Sequence, residues 1–196
     1  MKQVYVATTN PGKIKEFQEM FNSLDIQMVS LIDAFENVGD VEETGTTFEE
    51  NARLKADTYS KTYDVPVMAD DSGLTVTALN GEPGVYSARY AGLDKNDDNN
   101  MMKLLSNLDG NNNRDAAFVS VIAYSRPGEE TIISEGRCEG RIAEAPEGTE
   151  GFGYDPIFIP DGYNHTMAEL GPEVKNQISH RKYALDQMLK QIKDLL

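Results

Sequence analysis

Two adjacent acids, Asp70 and Asp71, begin the run Asp70-Asp71-Ser72-Gly73 directly after the apolar stretch Val67-Met68-Ala69. Paired carboxylates can hold Mg²⁺, and one of them can orient or deprotonate a water. Ligand sites in open α/β sheets favour the C-terminal ends of strands, where this pair is expected to lie. Asp-Ser-Gly is equally good turn chemistry, so the segment reads as a reactive pair or as a plain turn. A second segment, Thr8-Thr9-Asn10-Pro11-Gly12-Lys13, falls between an expected strand and an expected helix. Free backbone N–H groups and the positive end of a helix favour an anion there. Gly12 lets a phosphate approach the backbone, Lys13 adds a mobile positive charge, and Thr8, Thr9 and Asn10 add hydrogen bonds. The segment is neither a Walker loop nor a GxGxxG fingerprint, and a well-capped helix that binds nothing reads the same way.

Three further segments hold candidate chemistry. Glu42-Glu43-Thr44-Gly45 precedes a helix and reads as a source of metal ligands or, more commonly, as a solvated acidic loop. In Gly151-Phe152-Gly153-Tyr154-Asp155-Pro156, glycines frame an aromatic ring that could stack on a base, and Asp155 offers an acceptor for ring N–H groups. The commoner use of such a loop is to plug a core with its aromatic residues. Lys175 and the run Ser179-His180-Arg181-Lys182 form the last segment. Ser179 fits a helix N-cap, which puts His180 and Arg181 in a first turn, where positive charge is mildly unfavourable. That local misfit points to another job, such as donating hydrogen bonds to base carbonyls; a solvated basic patch is the plainer reading.

The elements that must position these residues follow from periodicity. Residues 2–7 read as a buried strand. Ile14, Phe17, Phe21 and Leu24 recur at helical spacing, with Asn10-Pro11 as a good helix start. Residues 27–31 fit a second strand. Thr47-Phe48-Glu49-Glu50 forms a capping box for a helix over 48–63, with Ala52, Ala56 and Tyr59 on its inner face. Residues 65–69 read as a short strand ending at Asp70, and alternating Leu74, Val76 and Ala78 as another. A helix is expected over 95–107. Residues 116–124 and 131–135 form a hairpin across Arg126-Pro127-Gly128-Glu129, with 138–143 pairing next as a separate strand. Residues 155–159 read as a short strand, and 179–196 as a helix with Leu185, Leu189, Ile192 and Leu196 on one face. Hairpins mixed with strand-helix units predict an α/β fold, a mixed sheet flanked by helices.

Bulk properties narrow the class. A length of 196 residues suits a single domain, or one compact unit of two lobes, and 39% hydrophobic residues suffice for a real core. The net charge of −15 argues against a nucleic-acid polymer held by its backbone, though not against a small nucleotide held by one lysine, a helix end and a divalent cation. No apolar stretch reads as a signal peptide or a membrane span. The single cysteine, Cys138, cannot form an internal disulfide, so a cytoplasmic home is expected.

In this order and at these intervals, the five segments resemble the inosine triphosphate pyrophosphatase family, the XTP/dITP or noncanonical-purine NTP pyrophosphatases. The likeness runs from Val4 to the last helix. It is carried by Ala69-Asp70-Asp71-Ser72-Gly73-Leu74, Pro83-Gly84-Val85-Tyr86-Ser87-Ala88-Arg89-Tyr90, residues 151–158 and Ile178-Ser179-His180-Arg181. The resemblance implies an elongated mixed sheet with two lobes around a nucleotide cleft. It implies Mg²⁺-dependent hydrolysis of XTP, dITP and ITP to the monophosphate and pyrophosphate, and a homodimer. Thr8, Thr9, Asn10, Pro11, Gly12 and Lys13 would bind the triphosphate. Glu43 and Asp71 would hold the metal, Asp71 also serving as general base, with Ser72 on the substrate. Phe152, Gly153, Tyr154, Asp155, Lys175, His180 and Arg181 would face the nucleotide. Lys175 and Arg181 are expected to reward the 6-keto oxygen of the base. The competing readings are a Maf-like nucleotide pyrophosphatase and a nucleotide sensor without catalysis.

Overall fold

A computed structural model describes residues 2–196. Six strands, β1 (Lys2–Ala7), β2 (Ile26–Ser30), β3 (Val67–Val76), β4 (Asp115–Ser125), β5 (Ile132–Ile142) and β6 (Phe158–Pro160), form one sheet in the order β2-β1-β3-β4-β5-β6. β1 pairs in parallel with β2 and β3, whereas β5 and β6 are antiparallel, so the sheet is mixed. The helices are α1 (Pro11–Asn22), α2 (Leu31–Ala34), α3 (Phe48–Tyr63), α4 (Asp97–Asn107), α5 (Met167–Ile178) and α6 (His180–Ile192). This is the α/β class expected. The chain forms two compact units: the segment ending at Asp71 with 120–136 and 181–196, and residues 72–119 with 137–180.

In the first unit the two-residue period of the strands divides the core in two. Val4 and Val6 of β1, Met68 of β3, and Ile122 and Tyr124 of β4 pack with Phe17 and Phe21 of α1 and Leu185, Met188 and Ile192 of α6. The alternate residues Ala7, Val67, Ala69, Val121 and Ala123 pack with Leu31 of α2 and with Ala52 and Ala56 of α3. α1 and α3 each combine an inward apolar face with an N-cap. Asn10 Oδ1 accepts from the N–H groups of Gly12 and Lys13 at the start of α1, and Thr47 Oγ1 accepts from Glu50 N–H at the start of α3. The second unit has its own core, in which Leu74, Val76, Leu104, Leu108, Phe118, Ile142, Tyr154, Ile157, Phe158 and Met167 are buried together.

Four elements depart from the sequence reading. Asp70-Asp71-Ser72-Gly73 is no turn or strand end; it lies inside the ten-residue β3. Its turn propensity is overridden because both acids find partners on neighbouring elements. β5 runs unbroken from Ile132 to Ile142 rather than as two strands. Its inward positions Ser134, Gly136, Cys138 and Gly140 are small, which hides the apolar alternation. Gly140 has to be small, since a Cβ there would lie 2.3 Å from Ile159 O of β6. Helix α5 has no counterpart in the periodicity, because Gly171 (φ 83°) and Pro172 interrupt it. The capping box of Thr166 and Glu169 is the signal that marks its start. The expected short strand at 155–159 begins instead with a 3₁₀ turn, Asp155–Ile157, ahead of β6.

Phe21 is fully buried and stacks on Phe17 in the core of the first unit. Phe21→Ala should lower unfolding stability by about 3–5 kcal/mol. Equilibrium urea denaturation measures this, and a loss below about 1 kcal/mol would contradict the packing described.

Candidate functional site

The chemistry of the first unit is organised by β3. Asp70 follows Met68 in the period of two, on the side of α1 and α6; Asp71 follows Val67 and Ala69, on the side of α3. The two neighbouring carboxylates therefore enter different environments. Asp70 is 1% exposed. Its Oδ2 lies 2.7 Å from Lys13 Nζ and its Oδ1 lies 3.7 Å from Arg181 Nε, with Ser120 Oγ donating to Oδ1. Burial alone would raise its pKa, but the charges of Lys13 and Arg181 and the hydrogen bonds overcome it. They hold the carboxyl well below the usual carboxylate range. Arg181 also pairs with Glu16 of α1, itself buried, so Asp70, Arg181, Glu16 and Lys13 form one charge network.

Asp71 differs. Lys55 Nζ of α3 is 3.9 Å from Asp71 Oδ1, 3.0 Å from Glu43 Oε1 and 2.7 Å from the Asp70 carbonyl oxygen. Burial pushes the Asp71 carboxyl up to about 6, with the positive Lys55 and Lys13 opposing and Glu43 and Asp70 adding to the rise. Asp71 Oδ2 is buried with no hydrogen-bond partner among the described residues. An orphaned buried carboxylate oxygen, with a second acid on the same lysine, is the donor set a hard divalent cation takes. No group of three or more His, Cys, Asp or Glu side chains gathers for a metal among the described residues.

The segment Thr8 to Lys13 meets this cluster through Lys13. The Lys13 amine, expected to be mobile, is committed to Asp70 with its side chain 14% exposed. Asn10 Oδ1 already accepts from Gly12 and Lys13 N–H, at 2.9 and 3.1 Å, and Thr8 Oγ1 accepts from Asn10 N–H at 3.2 Å. Thr9 and Pro11 are exposed. Glu42 is exposed, and of the two adjacent glutamates it is Glu43 that reaches Lys55.

The second unit gathers the aromatic and basic candidates. Lys175 Nζ is 2.6 Å from Asp155 Oδ2, and both side chains are buried. The same amine lies 4.5 Å from the centroid of the half-buried Phe152 ring, a cation–π contact. Asp155 Oδ2 also accepts from Phe152 N–H at 3.1 Å, and a Cβ on Gly151 would lie 2.1 Å from that oxygen. The loop is thus drawn tight around Asp155. Gly153 N–H donates to Asp97 Oδ2 at 2.8 Å. Tyr154 is buried and donates its hydroxyl to Ser87 O at 2.7 Å. His180 is buried and stacks on Phe118, with centroids 4.9 Å apart. Ser72, also in this unit, is half-buried within β3. Cys138 is a core residue whose thiol burial pushes up to about 11.

Arg181, expected to face a base, is instead 1% exposed in the network of the first unit. Sequence reasoning missed Glu16, Lys55 and Ser120. The first two had a signal: each is a charge on or beside the inward stripe of its helix, Glu16 next to Phe17 and Lys55 next to Ala56. Ser120 had none, being one polar residue in a buried strand.

The Ham1 family model matches residues 4–191. A dITP/XTP pyrophosphatase of Oceanobacillus iheyensis is 55% identical over 192 residues, which are 97% of this chain and 98% of that protein. One from Geobacillus kaustophilus is 50% identical over 198 residues, 100% of this chain and 97% of that protein. The structure of the Staphylococcus aureus Ham1 protein superposes with a TM-score of 0.88 at 45% identity, covering 100% of both chains.

The opposed environments of the two acids predict opposite pH effects in metal-free protein. The raised Asp71 pKa means that stability is lost as pH rises from 3.8 through about 6. Asp71→Asn should therefore be more stable than the wild type at neutral pH, by about 3 kcal/mol, with the gain vanishing in acid. Asp70 has the opposite sign, since a depressed pKa stabilises above the ordinary carboxylate value. Asp70→Asn should cost about 3–5 kcal/mol at neutral pH, the deficit shrinking as pH falls. Denaturant titrations in EDTA across pH read both; parallel pH profiles for the two variants would refute the assignment.

Proposed function

This chain belongs to the Ham1 family, and we propose that it hydrolyses dITP, XTP and ITP to the monophosphate and pyrophosphate, removing noncanonical purines from the nucleotide pool. The observation that carries the reading is Asp71, a buried carboxylate with an unpartnered oxygen and a pKa raised to about 6, beside Glu43 and Lys55. A carboxylate with a pKa near the working pH is a competent proton acceptor. Residues 1–196 act as one functional domain, in the cytoplasm and as a homodimer.

Asp71 and Glu43 would hold Mg²⁺, which when bound neutralises triphosphate charge and favours the leaving pyrophosphate. The protein's own groups divide the remaining work. Asp71 accepts the proton of the attacking water; the water oxygen bonds to the α-phosphorus, and the bond to the bridging oxygen breaks to release pyrophosphate. Thr8, Thr9, Asn10, Pro11, Gly12 and Lys13 grip the phosphates at the start of α1, with Ser72 a further substrate contact. Lys13 is delivered there by Asp70, which fixes its amine. Phe152 and Gly153 supply a face for the base, and Lys175, held by Asp155, supplies the donor for its 6-oxygen. Tyr154 and His180 back this surface, pinned on Ser87 O and Phe118. Arg181 acts on the phosphate side, by bracing Asp70 and α1.

The base-edge contacts predict a preference for ITP, dITP and XTP over GTP and ATP of about tenfold or more in kcat/KM. Pyrophosphate release with Mg²⁺ measures it, and equal values across the panel would refute the substrate class; a preference for dTTP or UTP would make the chain a Maf-like pyrophosphatase. Asp71→Asn should abolish turnover while ITP binding by calorimetry stays within about tenfold of wild type. A wild type that binds ITP and releases no pyrophosphate would make the chain a sensor.

A further inference from the structure

Residues 38–45, which include Glu43, have no regular secondary structure. A carboxylate on such a segment would lose conformational freedom on binding a cation, unless something holds it beforehand. Helix α3 does the holding. Asn51, Lys55 and Tyr59, four residues apart on one helical face, each bond the segment. Tyr59 Oη donates to Gly39 O at 2.8 Å, and Lys55 Nζ donates to Glu43 Oε1 at 3.0 Å. Asn51 Oδ1 accepts from Gly45 N–H at 2.7 Å and Asn51 Nδ2 donates to Gly45 O at 3.4 Å. Glu50 adds a contact to Thr46 N–H at 2.7 Å.

Asn51 stands apart in this stripe. It is 0% exposed, and a buried amide is costly unless its polar atoms are matched. It meets both backbone groups of one residue, two positions after Glu43. Gly45 fits that embrace by lacking a side chain: a Cβ there would lie 2.6 Å from Asn51 Oδ1 and 2.7 Å from Glu50 Cβ. The contact does not touch the cation site, so its effect must act through Glu43.

We propose that Asn51 is a positioning residue for metal binding, clamping Gly45 so that Glu43 is held at Lys55, beside Asp71. The inference rests on the reading of Glu43 as a metal ligand. Asn51 orders the ligand before the cation arrives, and Lys55 neutralises the two acids until then.

Mn²⁺ alone, titrated into nucleotide-free and metal-free protein and followed by electron paramagnetic resonance, reads the effect without turnover. Asn51→Ala and Gly45→Ala, which attack the clamp from its two sides, should each weaken Mn²⁺ binding about ten- to a hundredfold. Glu43→Gln should weaken it as well, and adding Asn51→Ala to Glu43→Gln should cause no further loss. A general loosening of the fold would still lower affinity in that background and would overturn the proposal. So would wild-type affinity in Gly45→Ala, which keeps the test available if Asn51→Ala fails to fold. If Glu43→Gln binds Mn²⁺ like the wild type, or the wild type binds none, the ligand reading of Glu43 fails and takes the proposal with it.

Discussion

A β-strand sends successive side chains to opposite faces, and at Asp70 and Asp71 that rule separates two carboxylates that are covalent neighbours. Had both faced the same side, each would have raised the other's pKa and competed for the same cations. Instead Asp70 meets Lys13 and Arg181 and is held ionised, whereas Asp71 meets a single lysine shared with Glu43. One acid becomes the anchor of a buried charge network. The other keeps an unpartnered oxygen and a pKa suited to taking a proton. The helices of the first unit follow from the same alternation, α1 and α6 on the core of Met68 and α3 on the core of Val67 and Ala69.

Keeping two charged clusters buried needs closure on every side. Around Asp70, Glu16 offsets the second cation, so that Lys13 and Arg181 do not face one carboxylate alone. Breaking such a network costs more than the pair is worth in isolation, because it strands buried charge. The second unit repeats the device with Lys175 and Asp155, whose ion pair also closes the Phe152 loop. In both units a lysine is fixed by a buried aspartate, which exchanges mobility for placement.

Much of this was legible in the sequence. The caps at Asn10 and Thr47, the stripe of α1 and the hairpin turn at residues 126–129 are local signals, and local physics decides them. The segments around Asp71, Lys13, Phe152, Lys175 and His180 were visible as candidates for the same reason. What could not be read was any partnership between distant residues. Asp-Ser-Gly looks like a turn until Lys13 and Lys55 are placed on either side of it. Arg181 looks like a surface donor until Glu16, 165 residues away, takes it. Lys55 and Glu16 interrupt or flank the inward stripes of their helices, a signal that helical periodicity, which weighs apolar residues, does not register. β5 reads as two strands in the sequence because its inward residues are small.

Under the proposed function the two adjacent acids serve different masters, Asp71 the cation and Asp70 the lysine of the Thr8–Lys13 segment. Anomalous diffraction from a crystal soaked in Mn²⁺ tests it most directly. The expected result is an ion bound by Asp71 and Glu43, with Asp70 still paired to Lys13 and Arg181. An ion bound by Asp70, with Asp71 left on Lys55, would contradict it.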